Sequence, residues 1–191
     1  KRQANTHVTR DRIEQEVRAA LATTLRTDAA AIDMDTSIVT GLGATSIDFL
    51  DINFRLENAF GVQLATQLLL DHVEEELGEG KAIDRDGKVT APAAELLKLY
   101  LGDLPGLEAG MYADEISTAV TPGVVADGVV RVLDTLPEAC THCGATEWHT
   151  ADGAQVKCGA CGKDAVYPNG DDLTKRWIHE VEGEKQLFAN A

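Results

Sequence analysis

All 4 cysteines of the chain fall into two copies of one short pattern, Cys140-Thr141-His142-Cys143-Gly144 and Cys158-Gly159-Ala160-Cys161-Gly162. Four thiolates converging on one point dictate the path of the chain between them, and no other feature constrains the fold as much. Two C-x2-C-G knuckles make a closed tetrahedral set, the form in which Zn²⁺ is held structurally, with no position left for water. The glycine after each second cysteine lets the backbone turn so that its amides face the sulfurs. The 14 residues 144–157 separate the knuckles, one short of the usual spacing of about 15–20. Thr146–Thr150 and Gln155–Lys157 are expected to pair across Asp152-Gly153, a hairpin turn signal, with Ala165-Val166-Tyr167 as a third strand. Two disulfides are the competing account, but a cytosolic setting and paired C-x2-C spacing favour a metal. A redox C-x-x-C lacks its βαβ surroundings.

This pattern resembles a zinc ribbon, expected over residues 138–170 with Cys140, Cys143, Cys158 and Cys161 as the metal ligands. His142 and His149 are expected on its surface. A unit of about thirty residues has too little apolar core to fold without such a staple.

The second informative stretch is Leu42-Gly43-Ala44-Thr45-Ser46-Ile47-Asp48-Phe49-Leu50, where a glycine turn delivers a serine to the start of a helix. Ser46 occupies the expected N-cap position. A phosphate ester on its hydroxyl would meet the positive end of the helix dipole and backbone amides without intrahelical partners. Upstream, Thr9–Leu25 reads as an amphipathic helix with Ile13, Val17, Ala20, Leu21 and Leu25 at helical spacing. A long polar link follows, with Ile32, Met34 and Ile38 as apolar anchors. Downstream, Ile47, Leu50 and Phe54 form one apolar row and Phe49, Ile52, Leu56 and Phe60 a second. Asp48, Asp51 and Glu57 stay on or near the outside, Arg55 interrupts that acidic face, and Gly61 ends the helix.

Helix, long link, glycine turn, serine and acidic helix resemble an acyl carrier protein over Val8 to about Leu77, and loosely to Leu136. In that family the serine after "LGxD" carries 4'-phosphopantetheine. The resemblance implies that Ser46 is the attachment residue and that Asp48, Asp51 and Glu57 meet partners. Those partners would be a phosphopantetheinyl transferase and acyl-loading or acyl-transfer enzymes with basic docking surfaces. "SIDFLDINFRLENAFGVQL", Ser46–Leu64, with Asp86-Gly87-Lys88 beyond it, is similar to the carriers of very-long-chain acyl groups for bacterial lipid A. The chain departs from that pattern at Thr45, where an aspartate is usual, and in lacking a proline after the second helix.

Charge bears on the class of partner. The net charge is −15, and residues 8–80 alone hold 14 Asp/Glu against 5 Lys/Arg. Such a surface opposes binding to a phosphate backbone, which needs basic groups to displace counterions. It opposes docking on an anionic membrane and favours steering toward basic proteins. No apolar run reaches the roughly 18–20 residues of a membrane span, and no secretory signal is visible, so a cytoplasmic location is expected.

Between about 78 and 120 the segment looks lengthened, with turn-rich Glu79-Gly80-Lys81 and Asp84–Lys88. Thr90 and Pro92 then open a helix with Leu96, Leu97, Tyr100 and Leu101 on one side. Thr121-Pro122 starts another, in which Val125, Val129, Val132, Leu133 and Leu136 share a face, the expected closing helix of the carrier. The expected fold is mainly α: an acyl-carrier-like helical bundle over 8–137 with an extended insertion, then the small β zinc ribbon. The tail 171–191 reads equally as a helix from Leu173 or as a hairpin turning at Gly183. No nucleophile–base constellation is visible, so the expectation is a carrier of acyl intermediates for fatty-acid or lipid biosynthesis and not an enzyme. An aminoacyl or polyketide carrier, or an unmodified zinc-stabilised adaptor, is the alternative.

Overall fold

Threonine sets the start of four helices. In the computed structural model, which describes residues 5–189, Thr9, Thr45, Thr90 and Thr121 are N-caps in extended conformation. Their side chains accept from the amides of Arg12, Asp48, Ala93 and Val124 respectively. Each satisfies one of the donors that a helix leaves open at its first turn. The helices so opened are α1 (Arg10–Leu25), α2 (Ser46–Phe60), α4 (Ala91–Leu101) and α5 (Pro122–Leu133), with α3 (Leu69–Leu77) and α6 (Gly170–Lys185) completing the set. Among the described residues no single helix is long and apolar enough to cross a membrane.

Two compact units account for the chain, one of Lys1–Leu64 with Thr121–Gly170 and one of Ala65–Val120 with Asp171–Ala191. In the first, α1 packs on both α2 and α5. Buried residues come from α1 (Ile13, Val17, Leu21), α2 (Ile52, Leu56, Phe60) and α5 (Ala126, Val129, Val132, Leu133), and from Ile32 and Ile38 of the link. The same unit holds the cysteine knuckles and a two-stranded antiparallel ribbon, β1 (Trp148–His149) and β2 (Lys157–Cys158), with Trp148 opposite Cys158. The expected third strand at 165–167 is reduced to a bridge between Lys157 and Asp164 and one bond from Ala165 N to Val156 O. The residues just before it are used to close the second knuckle, where Gly162 N bonds Cys158 O and Cys158 N bonds Lys163 O.

The second unit has an apolar core of its own. Leu69, Leu70 and Val73 of α3, Ala93, Leu96 and Leu97 of α4, Ile178 of α6 and Phe188 beyond it are all buried. Tyr100 and Trp177 pack with ring centroids 5.0 Å apart. His72, fully buried, is held by Asp171 through Nε2 at 2.9 Å. The same carboxylate accepts from the backbone of Thr66 and Gln67 and from the Thr66 hydroxyl. Burial pushes the Asp171 carboxyl up, but His72 and those donors outweigh it and leave it below the ordinary aspartate value.

This grouping differs from the expected division at 137 and 170. Residues 138–170 group with α1, α2 and α5 instead of standing apart, because the hairpin buries Ala154 and Val156 and bonds to α1 and α2. The segment 65–120 forms a unit with 171–191, because α6 supplies Ile178 to its core. The tail is a helix that runs through Gly183, not a hairpin.

Candidate functional site

Ser46 lies at the mouth of a turn built by close backbone approach. A Cβ at Gly41 would stand 2.7 Å from the Ser37 carbonyl oxygen, and Gly43 has φ +73, so both positions need glycine. The chain then enters α2 one residue earlier than the serine suggests. Thr45, not Ser46, is the N-cap, and Ser46 is the first residue of the helix. The reason is a reciprocal box: Thr45 Oγ1 accepts from the Asp48 amide, and an Asp48 carboxylate oxygen accepts from Thr45 N at 2.7 Å and Thr45 Oγ1 at 2.8 Å. The signal was available as Thr-x-x-Asp ahead of an apolar run. The consequence is chemical. Ser46 is exposed and spared from capping, while the amides of the first turn of α2 lie beside it.

The two apolar rows of α2 divide, with Phe49 of the second row half-buried. Ile52, Leu56 and Phe60 are buried in the core, whereas Ile47, Leu50 and Phe54 are 74%, 66% and 63% exposed. Beginning beside Ser46, this open row leads to a shallow groove lined by Asp51, Phe54, Arg55, Asn58 and Ala59. The acidic residues expected to meet partners are partly committed within the chain. Asp48 serves the helix cap. Asp51 accepts from the Thr24 hydroxyl at 2.6 Å and from Arg55 Nε at 2.9 Å, and these bonds hold its carboxyl below the ordinary value. Glu57 is pushed up by partial burial. The Thr24–Asp51 contact had no local sequence signal, since 27 residues separate the partners.

The four cysteines converge as their spacing suggests. Their sulfurs all lie within 4.8 Å of one another, with Cys140–Cys161 at 3.7 Å and Cys143–Cys158 at 3.6 Å. A tetrahedron with Zn–S bonds of about 2.3 Å has edges of about 3.8 Å, whereas a disulfide needs about 2.05 Å. The separations fit the metal and not the disulfides. Knuckle amides face the sulfurs: those of Cys143 and His142 lower the Cys140 thiol, and those of Cys161 and Ala160 bring Cys158 down to about 6. The Ala145 amide lowers Cys143, but Cys158, burial and the remaining two thiols outweigh it and push it up to about 11. Four sulfurs this close cannot all ionise without a cation among them. His142 and His149 are exposed and lie outside the cluster.

Residues 15–74 match the family model described as phosphopantetheine attachment site. No curated protein and no solved structure gives a significant match to the chain. The match begins within α1, spans the glycine turn, Ser46 and α2, and ends within α3. It implies covalent phosphopantetheine, and four cysteines at this spacing suit zinc. Residues 15–74 are therefore a phosphopantetheine-carrier domain.

Proposed function

We propose that this protein carries an acyl intermediate as a thioester on a phosphopantetheine arm at Ser46, in fatty-acid or lipid biosynthesis. The observation that carries this reading is an exposed serine, free of capping duty, on the first turn of a helix inside a phosphopantetheine-attachment domain. The arm supplies a thiol for the thioester when attached. The chain positions that arm at the amide-rich end of α2 and leaves the chemistry to partners. Those partners are a phosphopantetheinyl transferase and acyl-handling enzymes with an apolar contact for Ile47, Leu50 and Phe54 and a basic rim for Asp48, Asp51 and Glu57. Cys140, Cys143, Cys158 and Cys161 hold one structural Zn²⁺.

The test is loading. Chain co-produced with a broad-specificity phosphopantetheinyl transferase is offered long-chain acyl groups by an acyl–carrier ligase, then treated with neutral hydroxylamine. An acyl mass lost on treatment and absent from Ser46→Ala supports the reading. A chain that stays unmodified favours an adaptor, and one that accepts only aminoacyl groups moves the role to specialised metabolism.

A further inference from the structure

The C-terminal turn of α2 is finished by the ribbon. A helix leaves its last four carbonyls without intrahelical donors. In α2, Gly61 N and Val62 N both bond Glu57 O, which leaves the next carbonyl, that of Asn58, to be satisfied from elsewhere. Gln155 Nε2 does so at 2.9 Å, across 97 residues of chain. Gln155 sits on a firmly built hairpin tip. Asp152 Oδ1 accepts from Ala154 N and Gln155 N, both at 2.9 Å, and Thr150 Oγ1 accepts from Gly153 N at 3.0 Å. The tip is tied to α1 as well, through Arg12 Nε to Asp152 O at 3.3 Å. The strand that follows it is Lys157–Cys158, so a metal ligand is part of the frame that aims the tip. The other end of α2 is held separately, by the Thr45–Asp48 box and the Thr24–Asp51 bond.

Resting on the reading of α2 as the serine-bearing carrier helix, we infer that the metal-organised ribbon is a brace on the far end of that helix. With Zn²⁺ bound, Gln155 caps α2 at Asn58 and fixes the turn that carries Arg55, Asn58 and Ala59 of the groove. Without the metal that turn frays, while the turn bearing Ser46 stays formed. Metal occupancy thus controls the face a partner reads and leaves the serine itself in place.

Residue-resolved amide exchange on the full chain tests this, in the presence of zinc and after chelation, with Gln155→Ala as a variant that keeps all four ligands. A lost capping bond corresponds to roughly a three- to tenfold change in local opening. Chelation is expected to speed exchange of the amides from about 58 to 62 by at least that much, while 49–52 and α3, α4 and α6 are unchanged. Gln155→Ala is expected to do the same to 58–62 with the ribbon amides still protected. Unchanged exchange at 58–62 in either case overturns the brace, as does loss spread evenly along α2. None of these readings depends on modification of Ser46. A chain that is never modified still reports on the brace, and a modified chain without it leaves the carrier reading intact.

Discussion

Ser46 and the four cysteines lie in one compact unit and the buried His72–Asp171 pair in the other, and the two units hold together by different chemistry. The first combines three packed helices with a ribbon whose own buried apolar residues are few, chiefly Ala154, Val156 and Ala165. The second draws on a continuous apolar core closed by the last helix, and among the described residues it holds none of the four clustered cysteines. The segment Ala65–Val120 between α2 and α5 forms, with 171–191, a unit with a core of its own. The ribbon has no such core and groups with α1, α2 and α5 instead.

Metal removal should break this contrast most visibly. Structural zinc supplies an apparent ~10–16 kcal/mol at neutral pH, enough to fold a unit of this size. Chelation is expected to abolish the dispersion of ribbon signals from 138 to 167 in NMR spectra and leave those of α3, α4 and α6 in place. Collapse of both units together would refute the division. Core truncation comes next. Phe60→Ala in the first unit should cost ~3–5 kcal/mol and Leu97→Ala in the second ~2–5 kcal/mol. Amide exchange should show each loss confined to its own unit, and a shared loss would merge them.

A smaller effect is expected at the polar pair. Asp171→Ala leaves the buried His72 ring without its partner and should destabilise the second unit by ~1–3 kcal/mol. Because the Asp171 carboxyl is held below its ordinary value, its contribution is fully present above that value. It is lost as pH falls through the depressed one. Acid titration of wild type should show this loss in the second unit, and Asp171→Ala should remove it. Smallest is the Thr45 cap beside Ser46: Thr45→Ala should cost ~1 kcal/mol in the first unit, read from the thermal midpoint, whereas Thr45→Asp should keep most of the stability.

What was legible in the sequence was local. Thr9, Thr90 and Thr121 announced their helices because a cap and its amide lie three residues apart, and the cysteine knuckles because ligand spacing is short-range. The start of α2 was legible for the same reason, though the cap was misplaced by one residue: a serine and a threonine stood side by side, and only the reciprocal bond to Asp48 decides between them. The grouping into units was not legible. It rests on Gln155–Asn58 and His72–Asp171, 97 and 99 residues apart, and on Ile178 reaching a core more than seventy residues upstream. Periodicity identified an apolar stripe on the helix after Thr90 without saying which stripe it would meet. Of the two rows on α2, nothing local distinguished the one that stays open.

The most direct measurement is the intact mass of the full chain after co-production with a phosphopantetheinyl transferase, with peptide mapping of the region around α2. One phosphopantetheine on Ser46, absent from Ser46→Ala and still present in Gln155→Ala, is the expected result. An unmodified wild-type chain with every transferase tried, or modification that persists in Ser46→Ala, would contradict the assignment of Ser46 as the carrier residue.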